Sequence, residues 1–223
     1  MKKFIIAAVA AVLCAWACDM GEPVYSITNV SCYLTYNEGE LFNDYGVRFT
    51  VTTDQTDGKW KVEGTRMYST FDVLNINYDI TFKAYYLAVI DAPVDGTPSE
   101  DVTFDPVSIY DCSISGGYLN LIIGYHAVEG TECPHQMKLY YKDKGSTLEF
   151  RLTHEGDGEN PIEMEESSLK TVSRFCCFPI HDIVPSGESR YITLTIDTLQ
   201  KDSEGAYTSV PFTSSLYGNA ITF

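Results

Sequence analysis

Basic residues are scarce in this sequence. Lysine and arginine together number 15, against 31 aspartate and glutamate residues, so the formal net charge is −16 at pH 7. A chain this acidic repels the phosphate backbones of nucleic acids and the headgroups of anionic lipids. We therefore expect no nucleic-acid partner, and we expect any membrane attachment to be covalent. The acidity also favours solubility where proteins are crowded.

The sequence lacks the short motifs of common catalytic and cofactor sites. It contains no Gly-x-Ser-x-Gly elbow, no phosphate-binding glycine loop and no Cys-x-x-Cys pair. Ser167 and Lys170 have the spacing of a Ser-x-x-Lys motif, but its companions Ser-Asp-Asn and Lys-Thr-Gly are absent. These absences favour a protein that is not an enzyme and needs no cofactor. A glycosidase with paired catalytic carboxylates stays an open alternative, because that activity depends on the distance between two carboxylates, which the sequence does not give.

The sequence has no apolar run of the roughly 20 residues that a transmembrane helix needs. Its N-terminal apolar run, 4–16, follows two lysines and precedes Ala17, which is typical of an export signal over residues 1–17. Ala17-Cys18 resembles a bacterial lipobox, in which the cysteine after the cut carries diacylglycerol and an acylated amine. Cleavage by an ordinary secretory peptidase is the alternative, because residues 15–17 fit its small-x-small pattern. We predict lipidation of Cys18, since several chains such as palmitate form a stable anchor.

Residues 18–27 are predicted to be a tether between this lipid and the folded part of the chain. The lipid on Cys18 then attaches the protein to a membrane, which we predict to be the outer membrane. Asp19 and Glu22 resemble the acidic residues that follow the lipidated cysteine in surface-exported lipoproteins. They favour the cell surface over a periplasm-facing anchor.

Five cysteines remain once Cys14 leaves with the signal and Cys18 is lipidated. An odd number leaves at least one thiol unpaired in a monomer, and the sequence does not choose between possible disulfide partners. Cys176 and Cys177 are neighbours in an apolar run, so on a strand they point to opposite faces. We expect one of them in the core and the other outside. The five are Cys32, Cys112, Cys133, Cys176 and Cys177.

Short segments rich in β-branched and aromatic residues, several of them alternating with polar ones, recur through the chain and predict strands. No segment has a 3.6-residue period long enough for a core helix, so we predict an all-β protein built as a barrel or a sandwich. Residues 91–101 contain two prolines, a glycine and four acidic residues, which indicates a domain boundary. The predicted strands cover residues 47–51, 71–78, 80–90, 107–114, 118–126, 136–142, 147–154, 172–180, 191–197 and 220–223, with a strand returning from a turn over 59–62.

Several short motifs stand in the order seen in NigD-like proteins, and the sequence resembles that family over nearly all of the predicted mature chain. One departure is Glu155, because the family often has Asn or Asp directly after the histidine. The matching residues are Gly64-Thr65-Arg66, Tyr118-Leu119-Asn120-Leu121, His135, Leu139, and Leu148-Glu149-Phe150-Arg151 with His154.

The resemblance implies a two-domain lipoprotein. We expect an OB-like barrel over residues 28–92, a linker over 93–106 and a β-sandwich over 107–223. The family brings no established biochemical activity. Its lineage implies an accessory or protective role at the cell surface.

Carboxylates at alternate positions, Glu155, Asp157 and Glu159, resemble the first half of a calcium loop. The second half is missing, so a solvated acidic hairpin is the favoured interpretation and no metal is predicted. His135 and His154 are interpreted as hydrogen-bonding to backbone at strand ends; a metal site is the weaker alternative.

Two tyrosine pairs, Tyr85-Tyr86 and Tyr140-Tyr141, lie within predicted strands. One member of each pair must face outward on a regular strand, and exposed tyrosines stack on sugars or anchor protein partners. They are the candidate ligand-binding residues, although burial between the two domains is an equal alternative.

The function predicted first is a lipid-anchored, non-catalytic recognition or protective module that binds a protein or a glycan. A fimbria-like structural subunit, exchanging a strand such as 220–223, is the second hypothesis. The third is a hydrolase, which requires a pocket that gathers His135, His154 and acidic side chains.

Overall fold

The computed structural model describes residues 26–100, 104–129, 135–184 and 189–219. Cys18, Cys133 and the predicted strand 220–223 lie outside these residues. Within the described ranges no helix is long and apolar enough to cross a membrane. The described elements are β1 (Ile27–Asn37), β2 (Glu40–Asn43), β3 (Arg48–Asp54), β4 (Arg66–Val73), β5 (Asp79–Ile90), β6 (Val94–Asp95), β7 (Ser108–Ser115), β8 (Tyr118–Val128), β9 (Gln136–Asp143), β10 (Thr147–Glu155), a 3-10 turn (Glu166–Ser168), β11 (Leu169–Pro179), β12 (Ser189–Lys201) and β13 (Tyr207–Asn219).

The first five strands close into an OB-like barrel. They are hydrogen-bonded in the order β3-β2-β1-β4-β5, and parallel pairing of β3 with β5 joins the two ends of that row. Alternate residues of β4 are buried, as expected for a strand with one face on a core. The buried apolar residues inside the barrel are Leu34, Leu41, Phe49, Trp60, Met67, Phe71, Val73, Ile80 and Phe82.

The barrel sheet continues directly into a β-sandwich. The second half of β5 pairs in parallel with β11, which adds β11, β8 and β7 to give an eight-stranded sheet. A five-stranded sheet in the order β13-β12-β10-β9-β6 packs against it. Side chains of both sheets, such as Leu121 and Phe150, form one buried core. The all-β prediction is confirmed, with an OB-like barrel followed by a sandwich.

One predicted strand is absent, and another ends earlier than predicted. Residues 59–62 do not return as a strand but form turns, because the Trp60 ring is buried against Tyr36 and Phe82. The strand predicted over 71–78 ends at Val73, where Asn75 begins a turn. Strands β1, β2, β6 and β13 were not among the predicted segments.

The described parts of the predicted linker, 93–100 and 104–106, contact the sandwich. Strand β6 pairs with β9, and the backbone N–H of Asp105 donates to the carbonyl of His154 at 2.9 Å. Pairing of β5 with β11 also carries hydrogen bonds across the proposed division. The domain limits 28–92 and 107–223 stay a prediction.

Candidate ligand groove between barrel and sandwich

A buried ion pair lies where the barrel meets the sandwich. Arg66 begins β4, and Asp44 lies in the turn between β2 and β3. Their guanidinium and carboxylate form two parallel bonds, Nη1–Oδ1 at 2.6 Å and Nη2–Oδ2 at 2.7 Å. The remaining guanidinium hydrogens go to Thr35 Oγ1 at 3.3 Å and to Asn120 Oδ1, 3.2 Å from Nε and 2.9 Å from Nη2. Every N–H of this buried cation therefore has a partner, as burial of a charge requires.

The sandwich supplies the other half of this network. Asn120 on β8 receives a weak bond from the Cys177 thiol at 3.2 Å and donates to Ser115 Oγ at 3.0 Å, while Ser115 in turn donates to Asp44. Burial raises the pKa of Cys177 to about 12. Cys176 and Cys177 point to opposite faces, as predicted, but both are buried. The expectation of one exposed cysteine is wrong, because the ion-pair network covers the outer face of β11.

Aromatic rings lie directly over this network. The guanidinium carbon of Arg66 is 4.4 Å from the Tyr118 ring centre and 5.5 Å from that of Tyr33. Tyr33 is stacked on Phe175, with ring centres 5.3 Å apart, and tilted against Tyr68 at the same separation. The buried ion pair thus contacts rings of β8 and β1, and rings of β4 and β11 pack on Tyr33 in turn.

Two adjoining hollows open above these rings and share Tyr68. One has a volume of about 300 Å³ and is bordered by Tyr33 and Asp111; the other, about 200 Å³, is bordered by Tyr86 and Phe175. We call the pair the aromatic groove. It is defined by Tyr33, Tyr68, Tyr86, Asp111, Ser113, Ile122 and Phe175.

Polar groups concentrate at one end of the groove. The Tyr33 hydroxyl donates to Asp111 Oδ2 at 2.6 Å and accepts from Ser113 Oγ at 3.2 Å. Burial and the bond to Asp111 raise the pKa of Tyr33, so it stays a neutral donor. No lysine occurs among the described residues that line the two hollows, and the Arg174 guanidinium is held by Tyr125 Oη and the His135 carbonyl.

Only one of the four predicted tyrosines enters the groove. Tyr86 is 67% exposed there, whereas Tyr85 points to the barrel side, stacks on Phe82 and donates to Asp57. Tyr140 and Tyr141 are half-buried on β9, with Tyr141 packed against the sandwich core. The sequence reasoning missed Tyr33, Tyr68, Asp111 and Phe175, because no local pattern brings four distant segments together.

The side chains of the two histidines contact each other. His135 Nδ1 lies 2.9 Å from His154 Nε2, and His135 Nε2 lies 3.3 Å from Glu159 Oε2. The Tyr125 ring packs on both imidazoles. The pKa of His154 is lowered to about 4, mainly by burial and secondly by the charge of His135. Since His154 is only 2% exposed, the cluster is built as part of the interior.

The three alternate carboxylates separate in the structure. Glu155 pairs with Lys138 at 3.4 Å, and Asp157 is exposed at a φ of +54°. Glu159 turns inward, accepting from the Val128 N–H at 2.7 Å. Within the described part of the chain, no group of three or more His, Cys, Asp or Glu side chains is placed to hold a metal ion.

The chain matches a family profile and several solved structures. The profile of the NigD-like C-terminal beta sandwich domain matches residues 91–204. A NigD-like immunity protein from Bacteroides caccae is 19% identical, with 83% of this chain and 93% of that one covered and a TM-score of 0.59. A comparison with curated proteins finds no match.

Two further solved structures have the same architecture. A protein of unknown function from Bacteroides vulgatus is 16% identical, covering 87% of this chain and 94% of its own, with a TM-score of 0.63. A candidate lipoprotein from Bacteroides fragilis is 15% identical, covering 86% and 98%, with a TM-score of 0.58. At these identities the likeness establishes the fold.

Proposed function

The chain belongs to the NigD-like family, and we propose that it is a lipid-anchored, non-catalytic recognition module whose ligand binds in the aromatic groove. The observation that carries this proposal is the groove itself. Its rings come from both halves of the chain, and one of them, Tyr33, packs between Phe175 and the Arg66 guanidinium of a fully satisfied buried ion pair, which favours a site formed before any ligand arrives. Mostly apolar concave surfaces with a few polar groups are typical ligand sites.

The anchor in this proposal is the lipid on Cys18, in the outer membrane. The predicted tether, 18–27, meets β1 at Ile27, and its residues 18–26 span at most about 3.5 Å each, so a fully extended tether reaches roughly 30 Å. That reach sets an upper limit on the distance between the membrane and the start of β1. The names of two similar structures, an immunity protein and a candidate lipoprotein, support a protective accessory role at the surface.

Cell fractionation with surface proteolysis tests the anchor. We expect the wild-type protein in the outer-membrane fraction, degraded when protease is added to intact cells. Cys18→Ala should leave that fraction, because the acidic mature chain is repelled by anionic lipid headgroups. Cys112→Ala is the matched control, a half-buried free thiol whose loss leaves the anchor intact. Membrane retention of Cys18→Ala would overturn the anchor.

A fimbria-like subunit is the second candidate, favoured by the edge strand β13. This strand pairs with β12 over thirteen residues, and within the described residues its other edge has no named strand beside it. An open strand edge can hydrogen-bond to a strand of another copy of the chain, although Pro211 has no backbone N–H to donate. High-molecular-weight ladders extracted from the cell surface would favour this function over a monomeric receptor.

A further inference from the structure

We propose that the aromatic groove binds a neutral oligosaccharide, with one sugar ring stacked on Tyr86 and the hydroxyls of a second bound at Asp111 and Ser113. This inference rests on the proposed recognition function and specifies its ligand.

The apolar half of the groove suits the face of a sugar ring. Tyr86 presents a largely exposed ring beside Tyr68 and Phe175, and the rest of the lining is Ile122, Ser173 and Arg174. The C–H bonds on one face of a pyranose carry small positive charges, which are attracted to the negative faces of aromatic rings. Tyr68 and Phe175 are held by ring contacts with Tyr33 and with each other, and a tyrosine such as Tyr86 loses little side-chain entropy when it binds.

The polar half supplies acceptors for hydroxyl groups. A carboxylate accepts hydrogen bonds at about four positions, and Tyr33 occupies one position on Asp111. Ser113 donates to Tyr33, which leaves its oxygen free to accept. Sugar hydroxyls are donors of matching chemistry, and their bonds to an ionised acceptor are stronger than those between neutral groups.

Other ligand classes fit less well. Below the apolar half of the groove, the backbone N–H and C=O groups of neighbouring strands are hydrogen-bonded to one another. Tyr68 lies opposite Tyr86 in the β4–β5 pair, and Phe175 lies opposite Ile122 in the β11–β8 pair. A peptide bound over the apolar half would therefore find no free main-chain partners, whereas β7 beside the polar half is the last strand of the eight-stranded sheet. Anionic glycans and nucleotides would meet Asp111 and a chain of net charge −16, and the cation in the described lining, Arg174, already donates to Tyr125 Oη and the His135 carbonyl. These features leave neutral sugars as the best match.

The test is a glycan array of neutral, uronic-acid and sulfated oligosaccharides, probed with the full protein purified in detergent, followed by titration of the best binder. We expect neutral glycans to bind. Tyr86→Ala should weaken binding at least tenfold, Tyr86→Phe less than threefold, and Asp111→Asn about threefold to tenfold. Ile76→Ala is the matched control; Ile76 is 71% exposed at the opposite end of the β4–β5 hairpin, and its loss should change nothing.

Unchanged thermal midpoints would show that the variants fold. Preferential binding of charged glycans, no glycan binding, or equal neutral-glycan binding by wild type and Tyr86→Ala would overturn the inference. If Tyr86→Ala abolishes binding of a protein partner while no glycan binds, the recognition function stands and its sugar ligand is wrong. If Tyr86→Ala alters no interaction of any kind, the groove fails as the recognition site as well.

Discussion

Arg66 and Asp44 form a bidentate ion pair in which the two side chains are only 1% and 7% exposed. The pair joins a barrel strand to a barrel turn, and Asn120 extends it into the sandwich. A buried pair adds little net stability, because desolvation offsets the attraction between its charges. Losing one partner is different, since an uncompensated charge is left in the interior.

Asp44→Asn should therefore lower the free energy of unfolding by about 3 to 5 kcal/mol. Urea unfolding followed by circular dichroism measures this loss. Glu40→Gln is the control, because its ion pair with Arg48 is exposed and worth less than about 1 kcal/mol. Equal effects of the two substitutions would show that the buried pair does not hold the junction.

Gly116 places the sandwich turn against the same carboxylate. A Cβ at this position would lie 2.5 Å from Asp44 Oδ1, and its φ is +57°. Gly145 also has a positive φ, +79°, but nothing lies within 4 Å of its Cβ position. Gly145→Ala should cost about 1 kcal/mol of backbone strain, and Gly116→Ala clearly more. Similar unfolding free energies for both variants would argue against close contact at the junction.

The histidine cluster predicts a pH dependence of stability. The pKa of His154 is lowered to about 4 in the folded protein, against about 6.5 in an unfolded chain. Between these values the unfolded state binds more protons, so stability falls as the pH is lowered. From pH 6.5 to 5 this loss is roughly 2 kcal/mol. Burial also lowers the pKa of His126, which acts in the same direction.

Urea unfolding at several pH values tests this dependence. His154→Gln should be less stable at neutral pH but lose less stability on acidification. His181→Gln, at a half-exposed histidine, should keep the wild-type slope. An unchanged slope in His154→Gln would show that the buried imidazole does not carry the effect.

Local patterns in the sequence were sufficient for the all-β fold but not for the groove. The limits predicted for β8, β9 and β10 were close to the observed ones, because runs of β-branched and aromatic residues between turn signals favour strands. The strand predicted over residues 59–62 was wrong, because the buried Trp60 between Lys59 and Lys61 gives the same apolar–polar alternation as a strand. The NigD-like motifs contain Arg66 and Asn120, yet their contact across 54 positions depends on the pairing of whole sheets.

The predicted tyrosines illustrate the same limit. Alternation separates Tyr85 from Tyr86 but does not say which face is covered. Only the parallel pairing of β5 with β11 brings Tyr86 beside Phe175. Residues 33, 68, 111 and 175 meet because the barrel sheet runs on into the sandwich, a tertiary event without a local signature.

Photo-crosslinking in living cells tests whether the groove is the surface that meets the ligand. The photoreactive residue p-benzoyl-phenylalanine is placed at position 86, and in a second protein at position 76. Both positions are similarly exposed, 67% and 71%, and lie at opposite ends of one hairpin. We expect a discrete adduct from position 86 alone, which Asp111→Asn diminishes. Adducts of equal yield from both positions, or from position 76 alone, would contradict recognition by the groove.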